Sequence, residues 1–234
     1  MPAEITADQL DPAARSELRT LPGDLADAVA RLLVAAELAD DAEAAYEFAL
    51  AARQLAARVG VVRAACGIAA YRAGRWAEAL AELRAARRMT GEDGYLPLMA
   101  DCERALGRAE RALEMVTGPE ARNASRDTQI ELRIVESGIR RDQGFPEAAV
   151  VALQIPELSG PGRSPSSARL FYAYADALVD VGRQDEARYW FGRAASADAA
   201  GQTDAAERVA DFDLLAFDDL ESAEVDTESE NPGD

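Results

Sequence analysis

Apolar and small residues recur at helical spacing between residues 64 and 89, and this stretch sets the pattern for most of the chain. Its large apolar residues are three to five positions apart, as on the buried face of an α-helix. They are Ile68, Tyr71, Trp76, Leu80 and Leu83. Polar and small residues at positions 73–75 interrupt the pattern, and Gly67 and Ala79 would let two backbones approach closely. The stretch therefore predicts two short helices folded back on each other, with an apolar face that the pair cannot bury alone.

The same pattern returns along the chain at a spacing of 33 to 38 residues. The turn position is held in order by Asp40, Gly74, Gly107, Gly144 and Gly182. Five residues later stands an alanine each time, at Ala45, Ala79, Ala112, Ala149 and Ala187. Seven residues before the turn stand Leu33, Gly67, Ala100, Ser137 and Ala175, of which four are small. A fixed period of this length indicates a helical repeat protein.

Two prolines modify the repeats. Pro119 and Pro156 stand twelve residues after the third and fourth turns, where the other copies have alanine. Because proline cannot continue a helix, the second helices of these two copies are predicted to end early.

The pattern resembles the tetratricopeptide repeat (TPR) family, whose unit is a helix, a turn and a helix in about 34 residues. The resemblance covers residues 24–198 and is clearest in GRWAEAL, which begins at Gly74, and in residues 168–198. It is weaker at Asp40, where the turn lacks glycine, and at Glu136 and Arg140, which interrupt an apolar face. The whole chain also resembles TPR proteins of high-GC Gram-positive bacteria. The resemblance implies an all-α, right-handed α-solenoid of about five helical hairpins with a capping helix at each end.

This interpretation divides the chain into four regions. A lead-in and capping helix at 1–23, starting at Asp11 and running to about Thr20, precede a continuous solenoid at 24–198, a capping helix at 199–220 and a disordered acidic tail at 221–234. The predicted hairpins cover residues 24–58, 59–90, 94–118, 126–155 and 165–198. A polar linker is expected between Pro119 and Arg126. The strongest break is expected at residues 156–167, either as a long surface loop or as a boundary before a mobile last hairpin.

Charge narrows the range of partners. The formal net charge is −18, and twelve of the 43 acidic residues lie between Thr203 and Asp234. Phosphate backbones and anionic membranes repel such a chain, so neither nucleic acid nor a membrane is an expected partner. No basic start followed by a long apolar run is present, which predicts a cytoplasmic protein without a signal peptide. All 25 basic residues are arginine, which fits either a GC-rich genome or selection for two-pronged contacts with anions.

Motifs for catalysis, metal binding or cofactor binding are missing from the sequence. Histidine is absent, which removes the commonest general base and the commonest transition-metal ligand. The chain has no HExxH, CxxC or GxSxG motif and no phosphate-binding loop. We therefore expect no enzyme activity, metal or cofactor. Cys66 and Cys102 are predicted to be buried structural thiols, with a disulfide or an oxidation sensor as the alternative.

The TPR resemblance implies a concave groove, lined by the first helix of each hairpin, that holds a peptide or helix of another protein. The matching positions lie one, four and five residues after the small mid-helix residue, except that Arg140 lies three residues after Ser137 and Tyr172 three residues before Ala175. The candidate groove residues are Tyr71, Arg72, Asp101, Arg104, Arg140, Arg141, Tyr172 and Asp176, together with Ile68, Ala105 and Asp180. Arginines there could bind carboxylates of a partner, or could instead pair with Asp101 and Asp142 and contribute little.

The resulting hypothesis is a non-catalytic adaptor that binds a protein segment in the groove. One alternative is a homodimer joined through Phe212, Leu215 and Phe217. Another is a small-molecule sensor or an accessory subunit of an enzyme that uses the groove as a pocket. The acidic tail has two possible roles, improving solubility or occupying the groove through attraction to its arginines.

Overall fold

A computed structural model describes residues 4–162 and 165–214, and these residues contain α-helices and short 3₁₀ helices but no strand. The helices up to the middle of the chain are α1 (Pro12–Glu17), α2 (Gly23–Leu38), α3 (Ala42–Ala56), α4 (Gly60–Arg72), α5 (Trp76–Thr90), α6 (Leu96–Ala105), α7 (Ala109–Thr117) and α8 (Pro119–Asn123). They are followed by α9 (Arg126–Asp142), α10 (Pro146–Ala152), α11 (Pro165–Asp180) and α12 (Gln184–Ala197). Residues 205–214 are also helical. The 3₁₀ helices are Ala7–Gln9, Leu18–Thr20 and Pro156–Ser159.

Several sequence predictions fall outside the described residues. They concern Leu215, Phe217, the end of the C-terminal capping helix at residue 220, and the acidic tail at 221–234.

The chain forms two compact units, which are Met1–Leu132 and Arg133–Asp234. The boundary falls inside α9, whereas the sequence placed its strongest break at residues 156–167. In the first unit, α2 packs on α3, α3 on α4, α4 on α5, α5 on α6, and α6 on α7. In the second unit, α11 packs on both α10 and α12. Contacts between neighbours in sequence are what a helical repeat requires.

Four of the five predicted turns use glycine in the left-handed conformation. Gly74, Gly107, Gly144 and Gly182 have φ values of +69° to +78°, which cost least for a residue without a Cβ. The Arg75 amide then donates to the Ala70 carbonyl at 2.8 Å and closes the end of α4.

The first turn, which lacks glycine, is made differently. Ala39 is extended after α2, and the Asp41 carboxylate caps α3 by accepting the Ala44 amide at 2.8 Å. A helix cap thus replaces the glycine turn, which is why Asp40 can stand at this position.

Small residues bring the two helices of a hairpin together. A Cβ added to Gly67 in α4 would lie 2.8 Å from the Cγ of Leu83 in α5, closer than two carbon atoms can pack. The alanines that follow the turns by five residues are fully buried in all five copies, at Ala45, Ala79, Ala112, Ala149 and Ala187. The predicted close packing is confirmed.

The prolines act as predicted, with one correction. The second helices α7 and α10 end at Thr117 and Ala152, and both are shorter than α3, α5 and α12. The predicted polar linker after Pro119 is wrong, because residues 119–123 form the short helix α8. Proline fits the first position of a helix, where its missing N–H would be unpaired in any case, so Pro119 starts a helix as well as following the end of one.

The N-terminal region packs on the first repeat. The Asp11 carboxylate caps α1 by accepting the Ala13 amide at 2.8 Å. The predicted helix extends to Thr20 only as a 3₁₀ helix after Glu17. Leu10 and Leu18 are buried in one cluster with Val29 and Leu33 of α2. These leucines cover apolar surface that the first hairpin would otherwise expose.

Candidate functional site

The candidate groove residues all lie on the first helices of hairpins. Tyr71 and Arg72 are at the end of α4, and Asp101 and Arg104 are on α6. Arg140 and Arg141 end α9, while Tyr172 and Asp176 are on α11. The first four belong to the first unit and the last four to the second, and the two sets are described separately.

In the first unit, Asp101 joins two of the predicted residues. Its carboxylate accepts a hydrogen bond from the Tyr71 hydroxyl and another from the Arg104 Nε at 2.7 Å. Burial, together with the bond to the Asp101 carboxylate, raises the pKa of Tyr71 above its usual range. The Tyr71 ring also packs edge-on against Trp76, with ring centroids 5.2 Å apart. Tyr71 is therefore held in one orientation, and much of the Arg104 charge is balanced by Asp101.

Arg72 differs from these neighbours. It is exposed, and it forms no hydrogen bond or ion pair with any residue in the described part of the chain. Ile68, one helical turn earlier, has 39% of its surface exposed. Because residues four apart lie on the same side of a helix, α4 presents an apolar side chain beside a positive charge that has no partner among the described residues.

In the second unit, Arg141 joins α9 to α11. Its guanidinium donates to Asp176 and to Asp180, both at 2.5 Å. Arg140 does not share these contacts, since it lies 3.9 Å from the buried carboxylate of Glu136, which Arg133 contacts at 2.6 Å. The two adjacent arginines thus have separate partners.

The helical residues 205–214 cover the predicted groove residues on α11. The Arg208 guanidinium lies 3.5 Å from both the Tyr172 hydroxyl and the Asp176 carboxylate. It also lies over the Phe191 ring, 4.5 Å from its centroid. Phe212 follows on the same helix, with its ring 5.9 Å from that of Phe191. Phe212, which the homodimer hypothesis placed between two chains, therefore contacts the core of its own chain.

The environment of Tyr172 agrees with this covering. Burial and a hydrogen bond with Asp204 raise the pKa of its hydroxyl. The ring packs edge-on against Phe191 with a centroid distance of 5.2 Å. Tyr172 is thus partly enclosed by residues that follow the last hairpin.

The two cysteines are buried and free. Burial raises the pKa of the Cys66 thiol to about 11 and that of Cys102 to about 12. A thiol that remains protonated at neutral pH is a poor nucleophile, so these residues suit packing better than redox chemistry. Among residues 4–162 and 165–214, no three His, Cys, Asp or Glu side chains are grouped to hold a metal ion.

The sequence analysis missed two buried carboxylates that join helices of the first unit. Glu82 on α5 accepts hydrogen bonds from Arg53 of α3 and Arg63 of α4, both at 2.7 Å. Glu103 on α6, whose surface is 0% exposed, contacts Arg84 at 2.5 Å and Arg108 at 3.2 Å. The signal in the sequence that could have indicated these two carboxylates is an acidic residue next to the apolar positions of an otherwise regular helix.

No helix in the described part of the chain has both the length and the hydropathy of a membrane span.

Comparison with known proteins supports the architecture. No protein-family model and no curated protein matches the chain. Among solved structures, a thermophilic TPR protein of Thermus thermophilus, TTC0263, matches with a TM-score of 0.60 and 19% sequence identity. The match covers 79% of this chain and 96% of that protein. YrrB, described as a TPR protein with an unusual peptide-binding site, matches with a TM-score of 0.46 and 15% identity, over 81% of this chain and 94% of its own. The predicted fold class is confirmed by the first of these matches and by the helical repeats, and the chain has the all-α helical-repeat solenoid fold of TPR proteins.

Proposed function

We propose that the protein is a non-catalytic adaptor that binds a segment of another protein on the first helices α4 and α6 of its first unit. The observation that carries this proposal is the pair formed on one side of α4 by exposed Ile68 and by Arg72, which has no partner among the described residues. An exposed apolar side chain beside an available guanidinium suits an acidic residue next to an apolar one on the partner.

The neighbouring residues support this choice of surface. Because the Asp101 carboxylate accepts hydrogen bonds from both Tyr71 and Arg104, the surface beside Arg72 is ordered before a partner binds. An ordered surface loses less side-chain entropy on binding than a flexible one. The Tyr71 ring would supply apolar contact area, while the positive charge of Arg72 would favour a negatively charged segment of the partner.

The net charge and the lack of catalytic motifs support a protein as the partner. The net charge of −18 disfavours nucleic acid and anionic membranes, so we expect a protein segment in the cytoplasm. The absence of histidine from the sequence and of known catalytic motifs favours an adaptor over an enzyme.

Affinity capture from the native lysate, followed by mass spectrometry, tests this function. The full chain is compared with Ile68→Ser, Arg72→Gln and a control, Arg111→Gln, which removes an equal charge from an exposed position on α7. We expect at least one protein to be captured by the full chain and the control but to be depleted with both groove variants. Its isolated segment should then bind the full chain in calorimetry and lose at least tenfold in affinity with Arg72→Gln.

Identical captured proteins with all four forms would contradict the proposed surface. Light scattering on the same samples examines the homodimer alternative. A dimer that dissociates with Ile68→Ser would assign this surface to self-association instead of an adaptor role.

A further inference from the structure

A second surface of the first unit has the features of a small-anion site. The C-terminal turns of α5 border a cavity of about 310 Å³ that is lined by Arg84, Arg87, Arg88, Gly91 and Met99. Three of these five residues are arginines, and none carries a carboxylate. The volume is at the lower end of the range for small-molecule pockets. The cavity lies beside the C-terminal part of α5 and Met99 of α6, and none of its lining residues is among those of the proposed partner surface.

The arginines around this cavity have more positive charge than their acidic partners balance. Arg84 and Arg108 share the single buried carboxylate of Glu103. Arg87 pairs with Glu120 at 2.9 Å, but the Glu120 side chain is 63% exposed, so water weakens this pair. Arg88 is exposed and has no hydrogen bond or ion pair with the residues that the structure describes. The three arginines that line the cavity therefore have two carboxylate partners among the described residues, one of them shared with Arg108, in a protein whose net charge is −18.

Helix electrostatics explain only part of this arrangement. Arginines near the C-terminus of α5 interact favourably with its last carbonyl groups. Gly91 ends this helix in a left-handed conformation, with φ of 76°. That interaction does not require the side chains to converge on a cavity. The planar guanidinium matches the oxygens of phosphate and carboxylate groups, which makes anion binding the better account.

We propose that this cavity binds a small molecule that carries two or more phosphate or carboxylate groups. Arg88 supplies a charge that has no acidic partner among the described residues, Arg87 supplies its terminal nitrogens, and Arg84 is held at the rim by Glu103. The buried Met99 forms part of the wall and limits the space for larger ligands. The site is independent of the partner surface, so either can exist without the other.

Isothermal titration calorimetry on the full chain in 150 mM sodium chloride tests the site, with pyrophosphate and citrate as separate probes and acetate as the monovalent control. We expect saturable binding of at least one polyanion and none of acetate. Arg88→Gln should weaken that binding at least tenfold, since one charged hydrogen-bonding group is lost. Arg111→Gln, with the same change in net charge, should leave it unchanged. Preference for pyrophosphate would assign the site to phosphate esters, and preference for citrate to polycarboxylates.

A second measurement separates this effect from general stabilisation. Multivalent anions raise the melting temperature of many proteins because they are excluded from the surface. That effect would be equal in the unmodified chain, Arg88→Gln and Arg111→Gln. Equal shifts in all three, or no saturable heat with either polyanion, would overturn the proposal. Arg88→Lys provides a further check, because it keeps the charge but removes the planar fork, and it should bind with intermediate affinity.

Discussion

Ile68 on α4 and Asp176 on α11 hold the same position of their repeats, six residues before the turn glycine, but their surroundings differ. On α4, Tyr71 is tied to Asp101 of the next repeat, and Ile68 and Arg72 remain exposed. On α11, Tyr172 and Asp176 are contacted by Arg208, which follows the last hairpin in the chain. The repeat pattern thus specifies where a side chain stands on its helix but not whether that position stays open to a partner. The helix that follows decides this.

Removal of the aromatic ring beneath the covering helix should have the largest effect. Phe191 is 0% exposed and contacts Tyr172, Arg208 and Phe212. Phe191→Ala should lower the free energy of unfolding of the second unit by about 3–5 kcal/mol, as for other buried aromatic residues. Hydrogen-exchange mass spectrometry with denaturant unfolding measures this separately for each unit. Exchange should increase in residues 205–214 while α4 and α5 are unchanged. An unchanged rate in residues 205–214 would show that Phe191 does not hold this helix.

The carboxylate of Asp176 should have the next largest effect. It lies between Arg141 at 2.5 Å and Arg208 at 3.5 Å, so Asp176→Asn would leave two guanidinium groups facing a neutral amide. We expect a loss of about 1–2 kcal/mol, because Arg141 keeps its second partner, Asp180. Thermal melting at 20 mM and 500 mM salt provides the measurement. The difference between variant and unmodified chain should shrink at high salt, where exposed charges are screened. A difference that grows with salt would contradict an electrostatic role.

The hydrogen bond from Tyr71 to Asp101 in the first unit should have a smaller effect on the free energy of unfolding, with a distinct pH dependence. Tyr71→Phe removes the hydroxyl that donates to Asp101 and should cost about 0.5–1.5 kcal/mol at neutral pH. The pKa of Tyr71 is raised in the folded state, so the folded chain keeps this proton at pH values where the unfolded chain loses it. Stability should therefore decrease as pH rises above the usual tyrosine pKa of about 10.

Denaturant titrations between pH 9 and 11 measure this slope. Tyr71→Phe should show a shallower decrease than the unmodified chain, while Tyr189→Phe, at an exposed tyrosine, should show the same decrease. Equal slopes for both variants would mean that Tyr71 does not keep its proton through the bond to Asp101.

Local sequence patterns were sufficient to predict the hairpins. The turn glycines adopt positive φ and Gly67 permits contact with Leu83, and each follows from a property of a single residue. Helix α8 was missed because Pro119 was considered only as the end of a helix and not as the start of the next one.

The polar contacts of the candidate site were not predictable in the same way. Glu82 has partners 29 and 19 residues away on two different helices, and Arg208 reaches Tyr172 across 36 residues. A repeat pattern gives the face of one helix, but such pairs depend on side-chain positions on several packed helices. The sequence suggested Asp101 as a partner of an arginine, and the structure adds the bond from Tyr71.

Arg72 should have the smallest effect on stability of all these positions. It is exposed and has no partner in the described part of the chain, so Arg72→Gln should change the free energy of unfolding by no more than about 0.5 kcal/mol. A residue that adds little to folding but stands beside the ordered Tyr71 ring is available for a partner. Arg208→Gln is the matched change in the second unit, and it should cost more because it removes contacts with Phe191 and Asp176. Denaturant unfolding of both variants measures the contrast. A larger loss for Arg72→Gln than for Arg208→Gln would mean that α4 is the covered face and that the proposed partner surface is misplaced.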